Sequence, residues 1–224
     1  MPTLPASPAR AETGGPETRP PGAPQAVVFD LGGVLIDWDP RHLYRKLLPD
    51  DPARMEWFLS TICTDAWNEE QDAGRPFADA VALLCRRHPE HADLIRAYDE
   101  RWPEMLNGAH AETVAILEAL RRRGRPPLYA LTNWSAEKFP VALERFAFLR
   151  WFDGIVVSGE LGLRKPDPRL FRHLLERFGL QPETTFFVDD SRRNVEAARA
   201  LGLDAVLFTT AQALRSELAR RGLL

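Results

Sequence analysis

The chain has 224 residues, of which 45% are hydrophobic and 27% charged, with a formal net charge of −3. That length holds one domain, or a core carrying a smaller insert, and buries a sizeable hydrophobic core. The balance carries no basic nucleic-acid footprint, and no apolar stretch approaches the ~20 residues of a membrane span.

Residues 1–24 contain seven prolines among scattered Gly, Ala, Thr and Glu, with no hydrophobic period. Such a segment buries too little to fold and reads as a disordered tail. It lacks the apolar core of a signal peptide, and Glu12 and Glu17 argue against a transit peptide. Cys63 and Cys85 lie in helix-like segments without metal-ligand spacing. They are expected as reduced, packed thiols in a cytoplasmic protein.

The run Val27 to Phe29 reads as a buried strand that ends at Asp30 and a glycine pair, Gly32-Gly33. After Asp37-Trp38-Asp39-Pro40 the pattern turns helical. Asp51-Pro52 opens a helix carrying Met55, Phe58, Leu59 and Ile62. Thr64 opens a second with Trp67, ended by Gly74; Phe77, Val81 and Leu84 mark a third, closed by His88-Pro89; Leu94, Ile95, Tyr98 and Trp102 mark a fourth. No strand signal appears between about 41 and 108, so this stretch reads as a helical module inserted after the first strand, within a core of 25–40 and 109–224.

From residue 110 helix and strand alternate. A helix with Val114, Leu117 and Leu120 ends in Arg121-Arg122-Arg123 before Gly124, where cations suit a helix C-terminus. Strands are expected at Leu128–Leu131, Ile155–Val157, Thr185–Val188 and Ala205–Phe208. Helices follow from Asp167-Pro168 to Gly179, from a cap at Ser191, and over Ala211–Arg221. The alternation implies an α/β fold, a doubly wound parallel sheet with helices on both faces.

Each strand tip carries polar residues: Asp30; Thr132-Asn133; Ser158-Gly159 leading to Lys165; and Asp189-Asp190 with Asn194 one turn on. In a parallel sheet these tips share one edge, where such folds place their chemistry. Three carboxylates at one point repel unless a cation joins them. With oxygen donors and no His or Cys, that cation is a hard one, and Mg²⁺ is the natural choice. Lys165 adds a positive charge and Thr132 a hydroxyl, so the set suits a group with several anionic oxygens. A carboxylate free to attack would give an acyl-phosphate intermediate.

Four segments, Val27-Val28-Phe29-Asp30-Leu31-Gly32-Gly33-Val34-Leu35, Leu131-Thr132-Asn133, Arg164-Lys165-Pro166-Asp167 and Phe187-Val188-Asp189-Asp190-Ser191-Arg192-Arg193-Asn194, occur in order on the expected elements. Together they resemble the haloacid dehalogenase superfamily hydrolases of subfamily I, which carry a helical cap after the first strand. The resemblance covers residues 26 to about 210. It implies a Rossmann-like core, a cap over 41–108, and a small phosphorylated metabolite as partner. It assigns Asp30 as nucleophile and metal ligand, the Gly32 carbonyl as metal ligand, Asp190 as direct and Asp189 as water-mediated metal ligand. Thr132, Asn133, Lys165 and Gly33 are implied around the transferring group, with Lys165 also holding the nucleophile and Asn194 orienting the acidic loop.

One position departs from the pattern. Family phosphatases mostly carry a second aspartate two residues after the nucleophile, as general acid and base; here it is Gly32. Such help is commonly worth ~10²–10⁴-fold, about 3–5 kcal/mol of barrier. Three readings follow. The first is a phosphatase that manages without this aspartate, as some sugar-phosphate phosphatases of the branch resemble this chain in having glycine there. The second is a 2-haloacid dehalogenase, whose halide leaves without a proton but which needs neither metal nor the Asp189-Asp190 pair. The third is a non-catalytic protein that binds a phosphorylated ligand. Asp37 or Asp39 is a candidate substitute acid; the other reading of that pair is a helix cap ahead of Pro40. Trp134 either shapes the substrate entrance or simply packs. Trp67, Asn68, Gln71 and Asp72 form a polar cap cluster, either solvated or facing the substrate. The histidines, His42, His88, His91, His110 and His173, are expected in surface or packing roles.

Overall fold

The computed structural model describes residues 23–224. The tail assigned to residues 1–24 lies outside them apart from Ala23 and Pro24. The strands are β1 Ala26–Phe29, β2 Ile36–Trp38, β3 Leu106–Ala109, β4 Leu128–Thr132, β5 Gly154–Val157, β6 Thr185–Asp189 and β7 Asp204–Leu207. Five form one sheet in the order β5-β4-β1-β6-β7, and every pairing in it is parallel. The chain leaves β1 for β4 and β5 on one side, then crosses to β6 and β7 on the other. The strand order therefore reverses at β1, and the crevice beyond its C-terminal tip is where such sheets bind ligands.

The residues of β1 are buried on both faces, as a central parallel strand requires. Val27 and Phe29 point into one core cluster with Leu117, Leu120 and Leu214; Val28 points into the other, with Leu170, Leu174 and Val195. The helices Ala111–Arg123 and Ala211–Arg220 thus cover one face, and Pro168–Phe178 and Arg192–Ala200 the other. Gly124 and Gly179 end two of these helices at φ +73° and +63°, a left-handed conformation that favours glycine.

Between β1 and β4 the chain forms the helices Arg41–Leu47, Pro52–Thr61, Asp65–Asp72, Phe77–Arg87 and Ala92–Glu100. Asp51 accepts from the Arg54 amide at 2.9 Å and Thr64 from the Trp67 amide at 3.1 Å, so both N-caps act as read from sequence. Ser191 stands at the N-cap position of the helix Arg192–Ala200, but its side chain makes no capping bond. Instead its amide donates to Asp189 Oδ1 at 2.8 Å. Tyr44, Phe58, Phe77 and Tyr98 fill the module's interior, with Trp67 edge-on to Tyr98 at 5.0 Å between ring centroids.

The expectation of no strand between about 41 and 108 is corrected by β3, which pairs antiparallel with β2 in a ribbon at the base of the module. The sequence Leu-Asn-Gly-Ala has neither alternation nor β-branched residues, and Gly108 sits at φ +147°. Pairing with β2 makes this strand, not intrinsic propensity. No helix among the described residues is long and apolar enough to cross a membrane.

Candidate active site

The four strand-tip segments meet at one edge of the sheet. Asp30 follows β1 directly, its amide bonded to the Val188 carbonyl of β6 at 2.9 Å. The residue is 7% exposed and its carboxylate is held at both oxygens: the Leu31 amide donates to Oδ1 at 2.7 Å, and Lys165 Nζ lies 2.9 Å from Oδ2. Lys165 is fully buried. Its ammonium also donates to Asp189 Oδ2 at 2.7 Å and to the Leu131 carbonyl at 2.8 Å. An ammonium has three donors, so every one is engaged within the protein. Lys165 therefore keeps no N–H free, and what it offers the surrounding site is its charge.

Asn133, expected near the transferring group, has its amide occupied. Its Oδ1 accepts from the Lys165 amide at 2.7 Å, and its Nδ2 donates to the Lys165 carbonyl at 3.0 Å. This pairing clamps the lysine's backbone to the tip of β4. The Thr132 hydroxyl, by contrast, is buried and without a partner. A buried unpaired hydroxyl is unfavourable unless a ligand completes it, and it stands beside Asp30's strand in the sheet.

Asp30, Asp189 and Asp190 each offer a carboxylate oxygen within 4.8 Å of the others. Asn194 Nδ2 donates to both oxygens of Asp189, at 3.0 and 3.2 Å. Gly33 sits at φ +69°, and a Cβ there would lie 2.1 Å from Asp190 Oδ2. The missing side chain at Gly33 leaves room for the Asp190 carboxylate. Gly32 differs: a Cβ on it would meet nothing within 4 Å.

Burial drives the Asp30 carboxyl well above the usual range; Lys165 opposes this, and the charges of Asp189 and Asp190 add to it. Asp190 is also raised, by burial and then by Asp189. Burial works against the Lys165 charge, yet Asp189 and Asp30 outweigh it and hold the ammonium above its ordinary value. Three carboxylates face one ammonium, so negative charge is in excess. Oxygen-only donors with that excess fit a hard divalent cation such as Mg²⁺.

A small, partly open hollow of about 50 Å³ lies between the strand tips and the helical module. Gly32, Asn133 and Trp134 line it from the core, and Asn68, Asp72 and Trp102 from the module. Trp134 is 4% exposed, packs on Trp102 at 5.7 Å, and keeps an unpartnered indole N–H. It both packs and shapes the chamber. The cap cluster is not a solvated face: Asn68 and Gln71 are buried, and Asp72 is half-buried. Asp37 and Asp39 do not line the hollow. Asp37 accepts from Asn107 at 2.8 Å and pairs with His42 at 2.9 Å, while Asp39 takes the Arg41 amide at 2.8 Å at the start of a helix. Sequence reading missed Trp38 and Ser135 as lining residues and treated Trp102 only as a helix marker. A larger hollow, of about 480 Å³, runs along β7 and is lined by none of the acidic trio.

A doubly wound α/β core with a carboxylate, a lysine and an acidic pair at its switch point, roofed by a helical module, defines the architecture of a capped hydrolase. A family model for haloacid dehalogenase-like hydrolases matches residues 24–202, and the chain belongs to that family. It is 28% identical over 194 residues to the sesquiterpene phosphatase astK of Aspergillus oryzae, covering 87% of this chain and 94% of that one. It is 25% identical over 190 residues to a phosphorylated carbohydrates phosphatase of Thermotoga maritima, covering 81% and 83%. It spans only 34% of the longer drimenol cyclase drtB of Aspergillus calidoustus. The crystal structure of the HAD family enzyme bt-2542 of Bacteroides thetaiotaomicron, as its magnesium complex, shares the fold at TM-score 0.65 and 24% identity, over 87% of this chain and 98% of that one.

Proposed function

We propose that this protein is a Mg²⁺-dependent phosphatase that hydrolyses a small phosphate monoester, a sugar phosphate being the first candidate, through an aspartyl-phosphate on Asp30. The observation that carries the reading is the state of Asp30: a buried carboxylate fixed at both oxygens, beside an unpartnered Thr132 hydroxyl and within 4.8 Å of two further carboxylates. Relatives named as phosphatases of a phosphorylated carbohydrate and of a sesquiterpene support the reaction class.

Asp30 attacks phosphorus in line with the departing oxygen, and the P–O bond to the organic group breaks. Lys165 keeps Asp30 from rotating by tying it to Asp189, and its charge offsets that of the entering phosphate. The Thr132 hydroxyl donates to a phosphoryl oxygen. Water then attacks phosphorus, releases inorganic phosphate and restores the Asp30 carboxylate. Asp30, Asp189, Asp190 and the Gly32 carbonyl would hold Mg²⁺, which supplies Lewis-acid neutralisation of phosphate charge when bound. Halide displacement needs no metal, so the dehalogenase reading leaves the convergence of Asp30, Asp189 and Asp190 without a cation to hold.

The test is phosphate release from a panel of sugar, nucleotide and acyl phosphates, with Mg²⁺ and with EDTA, using Asp30→Asn as control. Metal-dependent release that Asp30→Asn abolishes while the circular dichroism spectrum stays native is the expected result. Release retained in Asp30→Asn defeats the mechanism, and silence across the panel defeats the activity.

A further inference from the structure

The acid–base group expected two residues after the nucleophile is absent, and the space it would occupy is open. Gly32 lies outside the positive-φ region, and a Cβ on it would meet nothing within 4 Å. Neither backbone conformation nor crowding therefore explains glycine there. Gly32 lines the hollow between core and cap, and Asn68 and Asp72 line it from the cap. Among the described residues, Asp72 is the only carboxylic acid lining it.

We infer that Asp72, delivered by the cap, is the general acid and base of the reaction in place of the residue missing at position 32. The inference rests on the phosphatase reading above. Three observations support it besides the shared hollow. First, the side chain is oriented: Asn68 Nδ2 donates to Asp72 Oδ2 at 3.1 Å, and Asn68 Oδ1 is itself fixed by the Tyr98 hydroxyl at 3.1 Å. Second, the backbone is registered to the core, since Ser158 Oγ beyond β5 donates to the Asp72 carbonyl at 2.6 Å. Third, the surroundings favour a carboxyl that exchanges its proton near neutrality. Burial, with Glu69 on the same helix, pushes Asp72 up to about 7, against Arg164, the Ser135 amide and Lys165 from the core. Tyr98 completes the neighbouring ionisable groups from the cap.

As Asp30 bonds to phosphorus and the P–O bond to the organic group breaks, the Asp72 carboxyl gives its proton to the departing oxygen, yielding the alcohol and an Asp72 carboxylate. Water then attacks phosphorus of the aspartyl-phosphate, Asp72 takes a proton from it, and Asp30 leaves as carboxylate. Inorganic phosphate departs and Asp72 is protonated again. The hollow, at about 50 Å³, has room for that water. The acid enters only when the cap is seated, which couples closure to chemistry.

The experiment measures kcat/KM with Mg²⁺ for phenyl and alkyl phosphates of graded leaving-group pKa, in the wild type, Asp72→Asn and the double variant Gly32→Asp with Asp72→Asn. Asparagine keeps the shape and the bond to Asn68. The expected loss in Asp72→Asn is ~10²–10³-fold for alkyl phosphates and shrinks steadily as the leaving group becomes more acidic. The wild type loses alkyl-phosphate turnover as pH rises through neutrality, and Asp72→Asn lacks that limb. The double variant regains at least tenfold of the lost alkyl-phosphate activity. A loss uniform across the series, or none, overturns the role of Asp72 while wild-type turnover keeps the phosphatase reading standing. A wild type silent on every substrate overturns that reading and this one with it.

Discussion

Ser158 Oγ donates to the main-chain carbonyl of Asp72 at 2.6 Å and accepts from the amide of Trp134 at 2.9 Å. One hydroxyl thus joins the tip of β5, the loop after β4 and the cap helix Asp65–Asp72. Ser158 is fully buried, so Ser158→Ala strands an amide and a carbonyl away from water, at about 1–3 kcal/mol. Part of that falls on the seated cap alone. We expect KM to rise on the order of tenfold with a smaller change in kcat, and the thermal midpoint to fall. An unchanged KM and midpoint would mean that the bond does not hold the cap down.

Glu69 provides a second tie. From the same cap helix it pairs with Arg164 at 2.8 Å and with Arg193, both in the core. Partly exposed pairs are worth ~0.2–1 kcal/mol each, so Glu69→Gln should loosen closure a few-fold. Wild-type KM should rise with salt, and that of Glu69→Gln much less, because screening removes the same attraction. Glu69 also helps raise Asp72. Its neutralisation lowers the Asp72 pKa, so the alkaline limb of the pH–rate profile moves to lower pH. A limb that moves upward, or a salt response equal in both proteins, counts against this coupling.

The two glycines after Asp30 separate by geometry. Gly33→Ala forces a side chain into positive φ and 2.1 Å from Asp190 Oδ2, while Gly32→Ala meets nothing. The first should lose Mg²⁺ affinity at least tenfold and cost more than about 1 kcal/mol of stability. The second should fold as the wild type does. Titration of Mg²⁺ by calorimetry distinguishes them, and equal affinities would remove Asp190 from the metal site.

Much of this was legible in the chain because strand tips announce themselves. The apolar run Val27–Phe29 cut off by Asp30, or Thr185–Val188 by Asp189, needs only a parallel sheet to bring the acids together. Helix starts at Asp51 and Thr64 were legible because their capping oxygens accept from amides only three residues on, at Arg54 and Trp67. What remained hidden depends on partners distant in sequence. β3 exists because β2 pairs with it, with a register shift at Asp37/Trp38 that leaves no periodic trace. Short helices at Arg41–Leu47 and Phe139–Arg145 carry too few turns to show a period. Asp72 reads like any acid on a polar helix until Ser158 and Asn68 fix it against Gly32's open space.

Lys165 separates charge from packing as the source of the site's stability. Its ammonium lies fully buried between Asp30 and Asp189. Lys165→Met removes the charge and keeps much of the volume, so two buried carboxylates lose their cation. Breaking a buried pair by removing one partner costs about 3–5 kcal/mol, and turnover should vanish with it. The sign of the pH effect follows from linkage. Without Lys165 the folded-state pKa of Asp30 rises further above its unfolded value, so the fold is penalised above the unfolded pKa and relieved as pH falls and the carboxyl protonates. The stability gap to wild type, measured by urea unfolding in EDTA, should therefore narrow from pH 8 to pH 5. Saturating Mg²⁺ should narrow it at pH 8 as well, because a cation bound only by the folded state stabilises it, and the carboxylates left without Lys165 bind that cation more tightly than the wild-type site does. A gap that is flat with pH and indifferent to Mg²⁺ would show that lost packing, and not unbalanced charge, is what the substitution costs.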